Sequence, residues 1–288
     1  MKIYSWNIWS GSLGEAPIND LRRFVTEEAD IICLQEVHRA PQTVPRLLMP
    51  NDPGSRIAPL NSWLYQEIVD ALGEGFAYYY APQLKGCYHD CERAPYPELE
   101  YGNLLIIKRE LRHTYRSGFI CGNIQKLYNF KTGSPAGKTA QVVDVYDANG
   151  VITIGHGHGA WANGNKGNTP WRNSQAINML KLLDPHYSTL RQRAAKPDYY
   201  PRTLLVGDWN VTSSTRTVRR FRDSQVFGKT GGEHLNAKYK ITDTRTCYYQ
   251  KPIREADHAF ASANLKANLT VDVTVASDHG ALLVSFES

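Results

Sequence analysis

Apolar runs of strand length recur from one end of the chain to the other, and no other feature limits the possible folds as much. They are "KIYSWNI" (2–8), "ADIICL" (29–34), "GFAYYYA" (75–81), "NLLIIK" (103–108), "AQVVDVY" (140–146), "VITIGHG" (151–157), "TLLVG" (203–207), "DHAFAS" (257–262), "LTVDVTV" (269–275) and "ALLVSF" (281–286). Each reads as a buried or half-buried strand. Helical periodicity is confined to "NDLRRFVTEEA" (19–29), "NSWLYQEIVDALG" (61–73) and "WRNSQAINMLKLLD" (171–184). The second opens on Asn61 as an N-cap, closes on Gly73, and sets Leu64, Ile68, Val69 and Leu72 on one face. Asn149-Gly150, between two strand runs, predicts a type I′ hairpin turn. With no repeat, low-complexity stretch or Gly/Ser linker, the pattern predicts one mixed α/β domain over 1–288 with two packed sheets.

Composition narrows the function classes. A chain of 288 residues, 42% apolar and 21% charged, can bury a large core and has the make-up of a soluble globular protein. No apolar run nears the ~20 residues of a membrane span, so none is expected. "MKIYSWNIWSG" lacks the apolar core of a signal peptide, which predicts a cytoplasmic protein unless a leader has been removed. Five cysteines, an odd number, argue against a complete disulfide framework. The net charge of +5 is compatible with a polyanionic partner without requiring one. No protein partner is evident, and a monomer is expected.

Polar residues punctuate the strand ends. Asn7 closes the first run and Glu36 follows the second; His156 and His158 close "GHGHG". Asp208 and Asn210 follow "TLLVG", Asp257 opens "DHAF", and Asp278 and His279 precede the last strand. A single Asn or Asp at a strand end is ordinarily a turn residue, and a single His is ordinarily structural. Taken together they form a set rich in hard oxygen donors, which suits Mg²⁺ or Mn²⁺, with Ca²⁺ as a further option. A hard cation with oriented imidazoles and a free carboxylate is suited to phosphate-ester hydrolysis.

The order "SWN…LQEV…GN…H…GDWN…DTRT…ADHAF…SDH" closely resembles the endonuclease/exonuclease/phosphatase superfamily, which includes deoxyribonuclease I-like nucleases. The resemblance runs from residue 5 to about 286, and "GDWN" with "SDH" is its specific part. It implies a four-layer sandwich of two packed mixed β-sheets flanked by helices. It also implies a metal site at Asn7, Glu36 and Asp278, and a catalytic group of His158, Asp208, Asn210, Asp257 and His279. In that group Asp208 orients or deprotonates the water, Asn210 holds a phosphate oxygen, and Asp257 pairs with His279. His156 competes with His158 for the histidine-strand role, with His158 favoured. Asn103 of "YGNLL" and Arg172, spaced from Gln175, match substrate-contacting positions.

Further features bear on substrate. Arg216, Arg219, Arg220 and Arg222 follow "GDWN" and could track a phosphodiester backbone or form a solvated helix face. Arg216 is taken as substrate-binding. Aromatic residues such as Trp161, Trp171, Tyr248 and Tyr249 are placed to stack on bases or to pack. "CYHDC" (87–91) lacks the second Cys/His pair of a zinc site and reads as a local disulfide or two thiols. Residues 38–60 and 82–101 read as proline-bearing surface loops. The expectation is a nuclease acting on DNA rather than RNA. The alternatives are a sphingomyelinase-like or small-molecule phosphoesterase, or a non-catalytic binding module on the same fold.

Overall fold

Along β1 (Lys2–Asn7), Ile3, Ser5 and Asn7 point one way and Tyr4 and Trp6 the other, and both sides are buried. A strand covered on both faces needs a layer on each side, and the rest of the chain supplies them. The computed structural model describes residues 1–49, 58–89, 92–162, 165–184 and 202–287. One six-stranded sheet contains β1, β2 (Ile31–Arg39), β5 (Phe76–Lys85), β8 (Glu100–Lys108), β15 (Asn268–Asp272) and β16 (Ala281–Ser285), in the order β15-β16-β1-β2-β8-β5. The second contains β9 (His113–Cys121), β10 (Lys138–Asp147), β11 (Gly150–His158), β12 (Arg202–Asp208), β13 (Glu233–His234) and β14 (Asp257–Ala261), in the order β13-β14-β12-β11-β10-β9. Both sheets are mixed, because β1–β2 and β11–β12 are parallel and their other pairings are antiparallel. Two short ribbons, β3 (Leu47–Leu48) with β4 (Leu60–Asn61) and β6 (Cys87–His89) with β7 (Glu92–Arg93), lie outside the sheets.

Three apolar layers hold the sandwich. Between the sheets, Ile3, Ile31, Cys33, Leu105 and Ile107 meet Val143, Ile152, Ile154, Leu204, Val206 and Ala259. Outside the first sheet, Tyr4, Trp6, Ile32, Leu34 and Ile106 receive α1 (Ala16–Thr26) and α2 (Leu64–Leu72) through Leu21, Phe24, Leu64 and Ile68. Outside the second, Val142, Leu205 and Phe260 receive α3 (Pro170–Leu183) and α4 (Arg216–Arg222) through Ala176, Met179, Val218 and Phe221. Each wholly buried Leu or Ile here contributes about 1.5–3 kcal/mol of burial free energy. The order helix, sheet, sheet, helix is the expected four-layer sandwich.

Local departures have physical reasons. β9 was not legible, because its half-exposed "HTYRSGFIC" lies at a sheet edge and lacks a continuous apolar run. Part of 82–101 is strand rather than loop: β5 runs on through Pro82 to Lys85, which an edge strand tolerates at a register shift. The hairpin after β10 turns on Ala148 and Asn149, since Asp147 pairs with Gly150. Neither central residue has positive φ, so the turn is not type I′; the Asp147 carboxylate accepts from the Asn149 N–H instead. Asn61 lies in β4 and accepts from the Trp63 N–H, and α2 begins only at Leu64. Of 38–60, residues 50–57 lie outside the described residues, as does Cys91 of "CYHDC". No helix among the described residues is long and apolar enough to cross a membrane.

Candidate active site

The period of two that buries Ile3, Leu204 and Val206 between the sheets also aims Asn7 and Asp208 into that space. His158 pairs with Asp208 across β11–β12, and Asp208 pairs with Asp257 across β12–β14. Glu36 arrives differently. In an uninterrupted strand it would share the outer face with Ile32 and Leu34. Pairing with β8 jumps from Leu34–Leu104 to Val37–Gly102, and Glu36 takes φ 61° at this bulge. The bulge turns its carboxylate toward Asn7. Glu36 therefore lies inside β2, not beyond its end as the sequence pattern suggested.

These residues converge. The Asn7 amide Nδ2 donates to Glu36 Oε1 and to Asp208 Oδ2, each at 3.1 Å. His158 Nε2 stands 3.8 Å from Asp208 Oδ2 and 3.9 Å from Glu36 Oε1. His279 Nδ1 donates to Asp257 at 2.9 Å, and its Nε2 faces Asp208 Oδ2 at 3.5 Å. Asn210 adopts φ 54°, a left-handed conformation that asparagine tolerates, and its N–H donates to Asp208 Oδ1. Asp208 and Asn210 thus meet through a tight turn, not along an extended strand. His258, on the outer face, donates from Nε2 to the Val211 carbonyl and helps hold that turn. Gly207 is required because a Cβ there would collide with the Gly157 carbonyl of the neighbouring strand; the close approach is to backbone, not to a ligand.

Two expected residues are engaged elsewhere, and a third lies outside the cluster. Asn103 accepts from Gln83 and donates to the Thr139 carbonyl, tying the sheets together. Arg172, wholly buried, donates to the carbonyls of Ala160, Asn165 and Gly167, while Gln175 accepts from the Ala160 N–H. Both clamp the segment that follows His158, so the Arg172 guanidinium is turned to backbone carbonyls. Arg216 is exposed on α4, outside the cluster. His156 is also buried between the sheets, bridging Gln35 and Gln141, which leaves His158 as the histidine that faces the carboxylates.

The sequence reading passed over Arg245, Thr244 and Tyr101. Arg245 is 4% exposed and pairs with Asp278 at 3.3 Å, placing a fixed positive charge on one of the expected metal ligands. Thr244 donates to Asp257 at 2.7 Å, and the Tyr101 hydroxyl lies 3.4 Å from His158 Nδ1. "DTRT" was visible as a motif, but only the tertiary contacts give Thr244 and Arg245 their places.

Burial raises the Asp257 carboxyl above its ordinary value. Burial, followed by the Arg245 charge, lowers His279 to about 4. Its imidazole is therefore neutral near pH 7, donating from Nδ1 and presenting Nε2 as an acceptor toward an acceptor oxygen of Asp208. A proton-bearing or cationic group between them satisfies both. Among the described residues, Asp208, Asp257 and His279 offer ligand atoms within 4.8 Å of one another, a grouping able to hold a metal ion. A further observation fits a cation: Asp278 Oδ1 is buried with no hydrogen-bond partner. The oxygen-rich donor set favours a hard divalent ion.

Burial also lowers His156 and His234 to about 3 from 6.5. Below pH 6.5 the unfolded chain binds protons that the folded chain refuses. The full stability is therefore present above 6.5 and is lost as pH falls toward 3. Each of these histidines is expected to cost about 1.4 kcal/mol per pH unit within that window. Urea unfolding between about pH 7 and 5, above the carboxylate range, should show the decline, and His156→Gln should make it shallower. A wild-type profile flat across those values would contradict neutral burial.

The sequence profile described as the Endonuclease/Exonuclease/phosphatase family matches residues 4–279. The chain belongs to that family. Solved structures share the fold at low identity. An endonuclease/exonuclease/phosphatase from Beutenbergia cavernae is 17% identical with TM-score 0.61, over 99% of this chain and 70% of its own. The human Nocturnin catalytic domain is 17% identical with TM-score 0.57, over 100% and 93%. A mannosyl-6-phosphatase of Bacteroides thetaiotaomicron is 12% identical with TM-score 0.58, over 100% of both chains. No curated protein matches this chain. Family membership and the buried cluster make the chain a phosphoesterase of this fold.

Proposed function

We propose that the chain is a divalent-metal-dependent nuclease that hydrolyses DNA phosphodiester bonds, with Mg²⁺ or Mn²⁺ as its ion. The observation that carries the reading is the pair of facing acceptors, His279 Nε2 and Asp208 Oδ2, 3.5 Å apart. A water seated there has an acceptor for each proton, and its lone pairs remain free to attack phosphorus. As the water oxygen bonds to phosphorus and the ester P–O bond breaks, its proton passes to His279 Nε2, and the leaving oxygen departs as an alkoxide that takes a proton from solvent. Asp257, behind Nδ1, stabilises the imidazolium. Asn210, whose amide Nδ2 makes only long 3.4 Å contacts to the Gly159 carbonyl and Asp208, would exchange one of them to donate to a phosphate oxygen. Glu36 and Asp278, with the Asn7 amide turned to present its oxygen, would hold the ion, which would supply positive charge against the charge developing on the phosphoryl group. A nucleic-acid substrate is favoured by the net charge of +5 and the arginine-bearing α4.

Nicking of supercoiled plasmid tests this. The wild type is expected to relax plasmid with Mg²⁺ or Mn²⁺ and to lose all activity in EDTA. No nicking with any divalent ion would end the DNA reading. RNA, sphingomyelin and sugar or inositol phosphates would then be screened, since a mannosyl-6-phosphatase shares the fold.

A further inference from the structure

A groove of about 900 Å³ lies outside the cluster, lined by Asn168, Thr169, Asn173, Arg216, Arg219 and Arg220, with Pro170, Thr217, Asp223 and Ser224 completing it. Every lining residue but Pro170 carries a polar side chain, and the three arginines bring positive charge to the groove's edge, which suits an anion. Among the described residues, no ion pair forms to Arg216, Arg219 or Arg220. The single acid in the lining, Asp223, accepts two hydrogen bonds from Arg222, at 2.7 and 3.2 Å. Three arginines therefore line the groove with one acid, Asp223, whose carboxylate is hydrogen-bonded to Arg222 and also feels the Arg219 charge.

Chain connectivity places the groove beside the cluster. Its walls are α3 and α4, the helices that follow β11 and β12, the parallel neighbours whose last residues are His158 and Asp208. The two connecting segments are laced together: Asn210 Nδ2 donates to the Gly159 carbonyl, the Thr212 N–H to the Lys166 carbonyl, and the Arg216 N–H to Asn168. Ligands of open α/β sheets bind beyond the carboxyl ends of such strands. Arg220 donates to Asn173 across the groove, which holds one guanidinium in place while Arg219 stays free to reach a ligand.

We infer that this groove is a second phosphate subsite, taking the backbone of a nucleic-acid strand beyond the phosphate being hydrolysed. The inference rests on the polyanionic substrate class of the proposed function but not on catalysis. A planar guanidinium fits a phosphate in bidentate fashion, and Asn168 and Asn173 can donate to the adjoining oxygens. The subsite would discriminate by substrate length: a chain engages it and a single small phosphodiester does not.

The test uses the full chain carrying Arg219→Gln and Arg220→Gln together. Affinity for an oligonucleotide of about thirty nucleotides is measured by fluorescence anisotropy in EDTA over a range of salt concentrations. The expected result is affinity about tenfold weaker and a log–log salt slope shallower by one to two, as for two lost phosphate contacts. Metal-dependent turnover of bis(p-nitrophenyl) phosphate, which has one phosphate, should be unchanged. Affinity and slope equal to wild type would overturn the inference. So would a parallel loss on the small diester, which would mean general damage, or a wild type that binds no oligonucleotide. A wild type that binds with the expected salt dependence yet cleaves nothing would leave the subsite standing and remove the nuclease reading.

Discussion

Asp208→Ala is expected to lower kcat by about 10²–10⁴-fold, the range for loss of a positioned proton acceptor. Its side chain accepts from Asn7 Nδ2 and from the Asn210 N–H, and it faces both His158 and His279. Removal also leaves buried donors unsatisfied, at about 1–3 kcal/mol each. Asp208→Asn separates the two effects, because it keeps the shape while losing the charge. Both variants should show the rate loss, with the thermal midpoint nearer wild type in Asp208→Asn. A kcat within about threefold of wild type in a folded Asp208→Asn protein would remove Asp208 from the chemistry.

Changes at the His279–Asp257 pair should be graded. His279→Ala removes the acceptor nitrogen and is expected to cost about 10²–10⁴-fold in kcat. Asp257→Asn should also be costly, up to about 10⁴-fold, because an amide can donate to Nδ1 and hold the ring in the wrong tautomer, but no more so than loss of the imidazole itself. The two Asp257 oxygens lie 2.9 and 3.0 Å from Nδ1, and Thr244 donates to the second of them. Single-turnover rates on a nicked-plasmid assay would order the variants. Asp257→Asn falling further than His279→Ala would contradict the positioning role given to Asp257.

The family was legible in the sequence because its markers are local. "GDWN" and "SDH" are short, and the strand runs before them fix which residues sit at strand ends. The edge strand β9 was not legible, since partial burial leaves no periodic signal strong enough to separate it from a loop. The direction of Glu36 was not legible either. Strand alternation puts it on the outer face, and only the bulge at the β2–β8 pairing reverses that. Arg172 and Asn103 show the opposite problem. Their motif positions matched, but their polar atoms are taken up by backbone carbonyls and a neighbouring amide, which no spacing reveals.

What the sequence by itself determined is the two-sheet sandwich and the set of residues at its strand ends. Apolar period and chain order carry that information, and both are properties of neighbours in the chain. Only the tertiary structure decided that His158 rather than His156 meets the carboxylates, that Arg245 sits against Asp278, and that α3 and α4 enclose a basic groove. Those outcomes depend on contacts between segments far apart in the chain, where packing and hydrogen-bond satisfaction, not local propensity, choose the partner.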